Sequence, residues 1–468
     1  MIKFGTSGFR AIIAEDFNKE NVQKIAQALA KIILTDKSKN PVLVGYDRRF
    51  MSDRAAEWFT EVLAGNKIVT RLFPTNTPSP AIFYGVMKDE LDYGVVITAS
   101  HNPYDYNGVK IVTKGGVDAD LEFVSRLEKI ANSSPKIKTL AVEEARKKGL
   151  VVDFDNIKDY FKNITKFISK TSKENNKLKV IFNTMHGACS DYAQYIEKMF
   201  KPKMFTIVNE NEDPYFEHSL PAPEADRLED FRKQVVKGRY SVGFAVDGDG
   251  DRLAVIDELG NFHNNNDLMA IAYYYLIKYR NFKGDVVKNC ATSNILDKLA
   301  ETFGFKCHET PVGFKYTSAK MKETEAILGG EMSGGMTMKN YIPSKDSFFS
   351  VAIILDAMAT IKKPFSEIYN EVKEACGYIS TYINGDVKVP NKKKMQKALK
   401  KNSPSFSYKP KSKSNKDGVK FVFEDGSWVL MRFSGTENAL RYYMEFATEI
   451  ECERNLKAVT NFIDKYGK

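Results

Sequence analysis

The sequence lacks the features that would tie it to a membrane or to an oxidising compartment. No run approaches the about 20 apolar residues needed to span a bilayer, and the N-terminus MIKFGTSGFRA has no apolar signal segment. Its five cysteines, Cys189, Cys290, Cys307, Cys376 and Cys452, are odd in number and scattered, without the close pairs of a zinc site or a disulfide framework. These absences argue against a membrane-spanning role and for a cytoplasmic, reducing setting. Aromatic residues are also not interleaved with the most basic tract, 391–420, so that tract reads as a solvated helix face and loop rather than a stacking platform for nucleic acid.

The chain does have length and charge. Its 468 residues exceed the roughly 250–300 at which single cores stop growing, so several domains are expected. A composition of 43% hydrophobic and 28% charged residues is that of a folded protein. The net charge of +10 admits nucleic acid, an anionic membrane or phosphorylated small molecules as partners, and charge alone does not choose among them.

Through the first three quarters, strand-like and helix-like segments alternate. PVLVGYD, KIVTRLF, LKVIFNTM, YSVGFAVD and GDVVKNCATS read as buried strands, whereas NVQKIAQALAKII sets Val22, Ile25, Leu29 and Ile32 on one helical face. This is α/β patterning, with no repeat by identity. After about residue 370 the order changes to a hairpin around Asp425-Gly426, the strand ALRYYMEFATEI and a terminal helix, which predicts a smaller antiparallel α+β domain.

Two stretches carry chemistry. In VDGDGDR, Asp247, Asp249 and Asp251 alternate with glycines that allow a tight, converging loop. Carboxylates about 4 Å apart repel by about 4 kcal/mol at an effective dielectric near 20, so the trio calls for a cation, and hard oxygen ligands favour Mg²⁺ or Ca²⁺. An EF-hand is excluded because Arg252 stands at the sixth loop position where glycine is needed and both flanks are strand-like. In TASHNP, Ser100 lacks the G-x-S-x-G setting of a hydrolytic nucleophile. As a phosphate carrier it would instead bring about −1.5 to −2 charge and three oxygens to the metal.

Two further loops suit a phosphorylated, hydroxyl-rich ligand. In MRFSGTENALR, Arg432, Ser434, Gly435 and Thr436 can surround a phosphate, with Arg441 assisting. In GGEMSGG, Glu331 and Ser333 among Gly330 and its neighbours offer acceptors to sugar hydroxyls.

With these motifs in hand, the sequence resembles the α-D-phosphohexomutase superfamily of phosphoglucomutases and phosphomannomutases over nearly its whole length. The matching series is GTSGFR at Gly5 to Arg10, TASHNP with NGVK ending at Lys110, DGDGDR, TPVGFK ending at Lys315, GEMSGG and RFSGTE. The resemblance implies three α/β mixed-sheet domains and a C-terminal α+β domain around a central cleft. It places a phosphoserine domain at 1–150, a metal-binding domain at 151–256, a sugar-recognition domain at 257–370 and a phosphate-binding domain at 371–468. It implies Mg²⁺ held by Ser100, Asp247, Asp249 and Asp251, and glucose 1,6-bisphosphate as activator.

The implied reaction moves phosphate between the 1- and 6-hydroxyls of a hexose, glucose or mannose, with Arg10 and Arg252 neutralising charge. Lys110 and Lys315 match family lysines near the reacting centre, and Lys110 is the favoured proton carrier, its pKa lowered by neighbouring cations. His101 orients the serine or is structural. Gly335, Asn438 and Ala11 depart from the usual pattern, and Gly335 leaves glucosamine and pentose phosphates open as substrates. The expected partner is a phosphorylated sugar, with neither nucleic acid nor membrane. A non-catalytic phosphosugar- or nucleic-acid-binding protein on the same scaffold is the rival, and it would not need Ser100 and all three aspartates.

Overall fold

The computed structural model describes residues 1–5, 8–170, 172, 177–433 and 439–467. Among them are four sheets. The first has Val42–Tyr46 parallel to both Thr70–Leu72 and Tyr93–Ile97, with Tyr106–Thr113 antiparallel beyond the latter. Val151–Asp153 closes its far edge, so the first sheet reaches past residue 150. In the second, Lys179–Asn183 lies parallel to Met204–Val208 and to Val242–Val246, and Leu253–Asp257 runs antiparallel to the last. The third repeats the pattern, with Val286–Asn289 parallel to Cys307–Thr310 and Leu328–Gly330, and Met336–Met338 antiparallel.

One placement therefore recurs three times. In each sheet a parallel strand turns back as a hairpin into an antiparallel neighbour, and the connecting loops are 98–105, 247–252 and 331–335. These hold TASHNP, DGDGDR and GEMSGG, at the carboxyl ends of parallel strands where α/β sheets bind ligands. The strands Val42–Tyr46 and Val242–Val246 are buried almost throughout, as their unbroken apolar runs predict.

The three α/β units share a core. A single buried cluster joins Leu43 and Phe83 of the first sheet's layer to Phe182 and Phe244 of the second and to the helix Ser347–Ile361 of the third. That helix carries no charged residue but Asp356 and is buried nearly all round. A shared core of this kind holds the three hairpin loops in fixed relation.

The C-terminal unit is an antiparallel five-stranded sheet with helices Lys392–Lys401 and Glu449–Gly467 packed on one face and a core of its own. Its other face presents Trp428, Leu430 and Tyr443 to Cys290 and Ala291 of the third unit. Buried Glu445 sits at this seam, accepting from Ser380 (2.8 Å), the Asn294 amide (2.8 Å) and Trp428 Nε1 (2.9 Å). The basic tract forms the exposed side of Lys392–Lys401 and the loop after it, and then, unlike the expected loop, the edge strand Ser412–Ser414 and the start of Val419–Val422, where Lys420 is buried. No helix among the described residues is long and apolar enough to cross a membrane.

Candidate active site

The hairpins bring Ser100 to the aspartate loop. Ser100 Oγ donates to Asp247 Oδ2 at 2.7 Å, although the two residues belong to different sheets. The other Asp247 oxygen accepts the amides of Asp251 and Arg252, both at 2.9 Å, which winds the loop around its own first carboxylate. Asp247, Asp249 and Asp251 each place an oxygen within 4.8 Å of the others, all three buried. Burial, then repulsion from Asp249 and Asp251, pushes the Asp247 carboxyl up to about 8. Asp249 Oδ1 is buried with no hydrogen-bond partner. An orphaned carboxylate oxygen beside two more fits a divalent cation held by hard oxygens.

Lys110 stands on the strand after the serine loop, its Nζ 2.6 Å from Asp249 Oδ2 and 3.1 Å from Asp251 Oδ2. Burial alone would lower its pKa, but the two carboxylates outweigh burial and hold it above the ordinary lysine value. This differs from the expectation that neighbouring cations depress it, because the groups within bonding distance are anions. The same contact keeps Asp249 below the usual carboxylate range and Asp251 well below it, against the burial that would raise both.

His101 is pushed well below its ordinary pKa, by burial first and then by Arg252 and Arg10, so the ring is neutral at neutral pH. Its Nδ1 lies 3.3 Å from Ser100 Oγ. Arg10 donates to Asn102 Oδ1 at 2.7 Å, within the same loop. Asp118, whose carboxyl is raised chiefly by burial, lies close enough to Lys110, Lys345 and Lys315 for their charges to oppose that rise, and Lys315 Nζ stands 5.4 Å from the Tyr316 ring centroid.

The sugar loop meets the aspartate loop through its glycines. A Cβ on Gly334 would stand 2.8 Å from Arg252 Cβ, and one on Gly335, at φ +76, would stand 2.6 Å from the Asp251 carbonyl and 2.5 Å from Lys345 Cβ. Glycine at 335 is thus required by the closeness of the two loops. Glu331 Oε1 accepts the Gly313 amide at 2.7 Å, tying the loop to TPVGFK, and Ser333 Oγ lies 3.4 Å from Glu331 Oε2. Gly330 ends the preceding strand.

On the C-terminal sheet, Arg432 and Arg441 stand directly opposite one another across two antiparallel strands. Their face looks toward the third unit, away from the helices. Arg432 Nε donates to Asp417 Oδ1 at 2.8 Å, and Asp417 in turn accepts the Val312 amide at 2.7 Å. Ser434, Gly435, Thr436 and Asn438 lie outside the described residues.

Several residues of the site escaped sequence reasoning. Lys345 pairs with Asp251 Oδ1 at 3.1 Å, Ser79 Oγ donates to Asp249 Oδ2 at 2.6 Å, and Asn265 Nδ2 bonds the Glu331 and Gly335 carbonyls at 2.6 and 3.0 Å. Arg49 bonds three carbonyls of the serine loop and that of Tyr106 at the start of the next strand. None sits inside a motif whose spacing speaks for it. A polar residue within an apolar stretch was the one available signal, as at Ser79 in TPSPAIFYG.

Comparison with known proteins matches four sequence models in chain order. They are phosphoglucomutase/phosphomannomutase alpha/beta/alpha domains I (1–138), II (158–260) and III (264–375) and the C-terminal domain (386–461). A "Phosphoglucomutase/phosphomannomutase" of Thermococcus kodakarensis is 30% identical over 461 residues, covering 97% of this chain and 96% of the relative. Other relatives over nearly the whole chain are named phosphoglucosamine mutase. A crystal structure from Thermus thermophilus, provisionally named a phosphomannomutase, superposes with a TM-score of 0.86 at 25% identity, covering 99% of each chain. An Aspergillus fumigatus N-acetylphosphoglucosamine mutase, solved with GlcNAc-6P and magnesium, shares the fold at a TM-score of 0.63 and 15% identity, covering 100% of this chain and 96% of its own.

Proposed function

Because this chain belongs to the phosphoglucomutase/phosphomannomutase family, we propose that Ser100 carries the phosphate it transfers and that its substrate is a glucose or mannose phosphate. The enzyme is a mutase, an intramolecular phosphotransferase that interconverts hexose 1-phosphate and 6-phosphate through a phosphoserine and a bisphosphate intermediate. The observation that carries the assignment is the Ser100 hydroxyl on Asp247, 2.7 Å away, inside a carboxylate trio with an unsatisfied oxygen. In this reading residues 1–150 bear the phosphoserine, 151–256 the metal loop, 257–370 the sugar loop and 371–468 the second phosphate site.

Asp247, Asp249, Asp251 and the Ser100 side chain are the groups that would hold Mg²⁺. When bound, the ion neutralises charge on the phosphoryl oxygens. In the first transfer the substrate hydroxyl oxygen bonds to phosphorus as the bond from Ser100 Oγ breaks. The hydroxyl loses a proton and Ser100 Oγ gains one. Lys110, protonated and buried between the carboxylates, is the group we assign to give its proton to Ser100 Oγ and take up the hydroxyl proton in its place. Arg10 and Arg252 supply fixed positive charge at the serine loop, and Lys315 adds to it from the third unit. Neutral His101 orients Oγ. Glu331 and Ser333 receive sugar hydroxyls, with the carboxylate held in place by the Gly313 amide.

Arg432 and Arg441 explain themselves best as a phosphate fork. They stand directly opposite on the sheet face turned toward the third unit, with Arg432 oriented through Nε by Asp417, and two guanidinium groups so placed suit the several oxygens of one phosphate. With Ser434, Gly435 and Thr436 they would bind the phosphate that is not being transferred. After the first transfer the bisphosphate turns and the other phosphate passes back to Ser100. Glucose 1,6-bisphosphate would rephosphorylate enzyme that has lost its intermediate, which makes it an activator. A cytoplasmic location accords with this metabolism.

A phosphoglucosamine mutase reading is favoured by the names of several relatives, and Glu331 could meet an ammonium group as well as a hydroxyl. The test is a coupled assay of glucose, mannose, glucosamine and ribose 1-phosphates, each with its own bisphosphate, 1,6 for the hexoses and 1,5 for ribose, or with glucose 1,6-bisphosphate. We expect turnover to be fastest with glucose or mannose. A glucosamine 1-phosphate kcat/KM more than tenfold above both would reassign the substrate.

A further inference from the structure

One guanidinium turns both of its terminal nitrogens to the backbone of the serine loop and of the first residue after it. Arg49 Nη2 donates to the carbonyls of Ser100 and Asn102, both at 2.6 Å, and Nη1 to those of Pro103 (2.7 Å) and Tyr106 (3.1 Å). Its side chain is fully buried, Nε lies 3.5 Å from Asp47 Oδ2, and the Phe216 ring from the second unit sits 5.1 Å from the guanidinium. Asp47 is itself fixed by Ser52 Oγ and the Arg49 amide. Burial lowers the Arg49 pKa to about 10, which leaves it charged at neutral pH.

The loop it holds is strained at the residue that matters. Ser100 has φ +54, in the left-handed region that L residues with a Cβ enter at a cost of about 1 kcal/mol or more. Such a conformation persists only where the surroundings over-determine it. Four carbonyls on one rigid fork do that. The fork also sets polarity, because a trans peptide aims its N–H opposite to its carbonyl. With the Ser100 carbonyl on Arg49, the His101 amide points away from the guanidinium, and no described residue accepts from it.

We propose that Arg49 is a positioning residue for phosphoryl transfer, locking the serine loop in the left-handed turn that keeps Ser100 Oγ on Asp247 and turns the His101 amide outward. This rests on Ser100 as the phosphate carrier. The serine gains and loses a phosphate in every cycle, and its oxygen must return each time to the same place. Lysine cannot substitute, since a single ammonium has three donors and cannot reach four carbonyls shared between two separate nitrogens.

The discriminating variant is Arg49→Lys, which keeps the buried charge opposite Asp47. Misplacement of a reacting group by about 1 Å costs on the order of 100-fold in rate. We expect kcat of Arg49→Lys to fall about 10- to 100-fold while KM for the sugar 1-phosphate stays within threefold, because Arg432, Arg441 and Glu331 are untouched. A purely structural role would lower the melting temperature and leave kcat per folded molecule intact, and that result overturns the proposal. If Arg49→Lys does not fold, Phe216→Leu removes the ring against the guanidinium and should lower kcat with KM unchanged; an unaltered kcat there overturns it equally. Intact-mass analysis of the active wild type separates the two readings. Absence of phosphate on Ser100 sinks the carrier assignment, whereas a phosphorylated wild type with a fully active Arg49→Lys sinks only the role of Arg49.

Discussion

Lys110 Nζ lies 2.6 Å from Asp249 Oδ2, across the seam between the first and second sheets, and both groups are buried. The pair makes the lysine a retained proton rather than a free base. Lys110→Met should therefore remove the proton carrier and lower kcat by about 10²- to 10⁴-fold, the usual worth of a general acid or base. Substrate binding should persist, measured as KM or by direct titration of the sugar phosphate. A kcat within threefold of wild type would move the role to Lys315.

The aspartate trio predicts a metal requirement with a defined pH sense. Asp247 is pushed up to about 8, so below that pH the carboxyl carries a proton that a ligated metal must displace. Mg²⁺ affinity should rise between pH 6 and 8 and level off above. Calorimetry in two buffers of different ionisation enthalpy should detect the released proton. Chelation should abolish activity, and Asp249→Ala should remove most of it per folded molecule, with a lowered melting temperature because buried Lys110 and Ser79 lose a shared partner. Full activity after exhaustive chelation contradicts the assignment.

Arg432 faces Arg441 across the C-terminal sheet and is steered by Asp417. Arg432→Ala should weaken binding of the sugar phosphate by about 1.5–3 kcal/mol, the worth of hydrogen bonds to a charged group, with kcat changed much less. A normal KM would place the phosphate elsewhere.

Gly335 is fixed by geometry at both of its sides. Gly335→Ala would put a Cβ at positive φ within 2.6 Å of the Asp251 carbonyl. It should reduce kcat/KM at least tenfold, since the metal loop must move to admit it, through a cost of about 1–3 kcal/mol. Unchanged kinetics would mean that the two loops separate freely.

The motif loops were legible in the sequence because short spacing encodes them. Asp247, Asp249 and Asp251 alternate with glycines, and the α/β order followed from apolar periodicity. What was not legible depends on tertiary placement. Loops 98–105, 247–252 and 331–335 occupy the same hairpin position in three sheets, yet no identity links the three units. Arg49, Ser79, Asn265 and Lys345 reach the site from elements without a signature. The direction of the Lys110 shift was likewise decided by which partners fold against it, carboxylates at 2.6 and 3.1 Å rather than the arginines and lysines nearby in sequence motifs.

The most direct test of the account follows the phosphate itself. Glucose 1-phosphate carrying ¹⁸O at its three non-bridging phosphoryl oxygens would be mixed with unlabelled phospho-enzyme, and Ser100 and glucose 6-phosphate would be read by mass over the first turnovers. If Ser100 is the carrier, the first glucose 6-phosphate contains the unlabelled enzyme phosphate and the label appears on Ser100. Ser100→Ala should show neither. Sustained conversion in which the label stays on its original sugar and never reaches Ser100 would contradict the account.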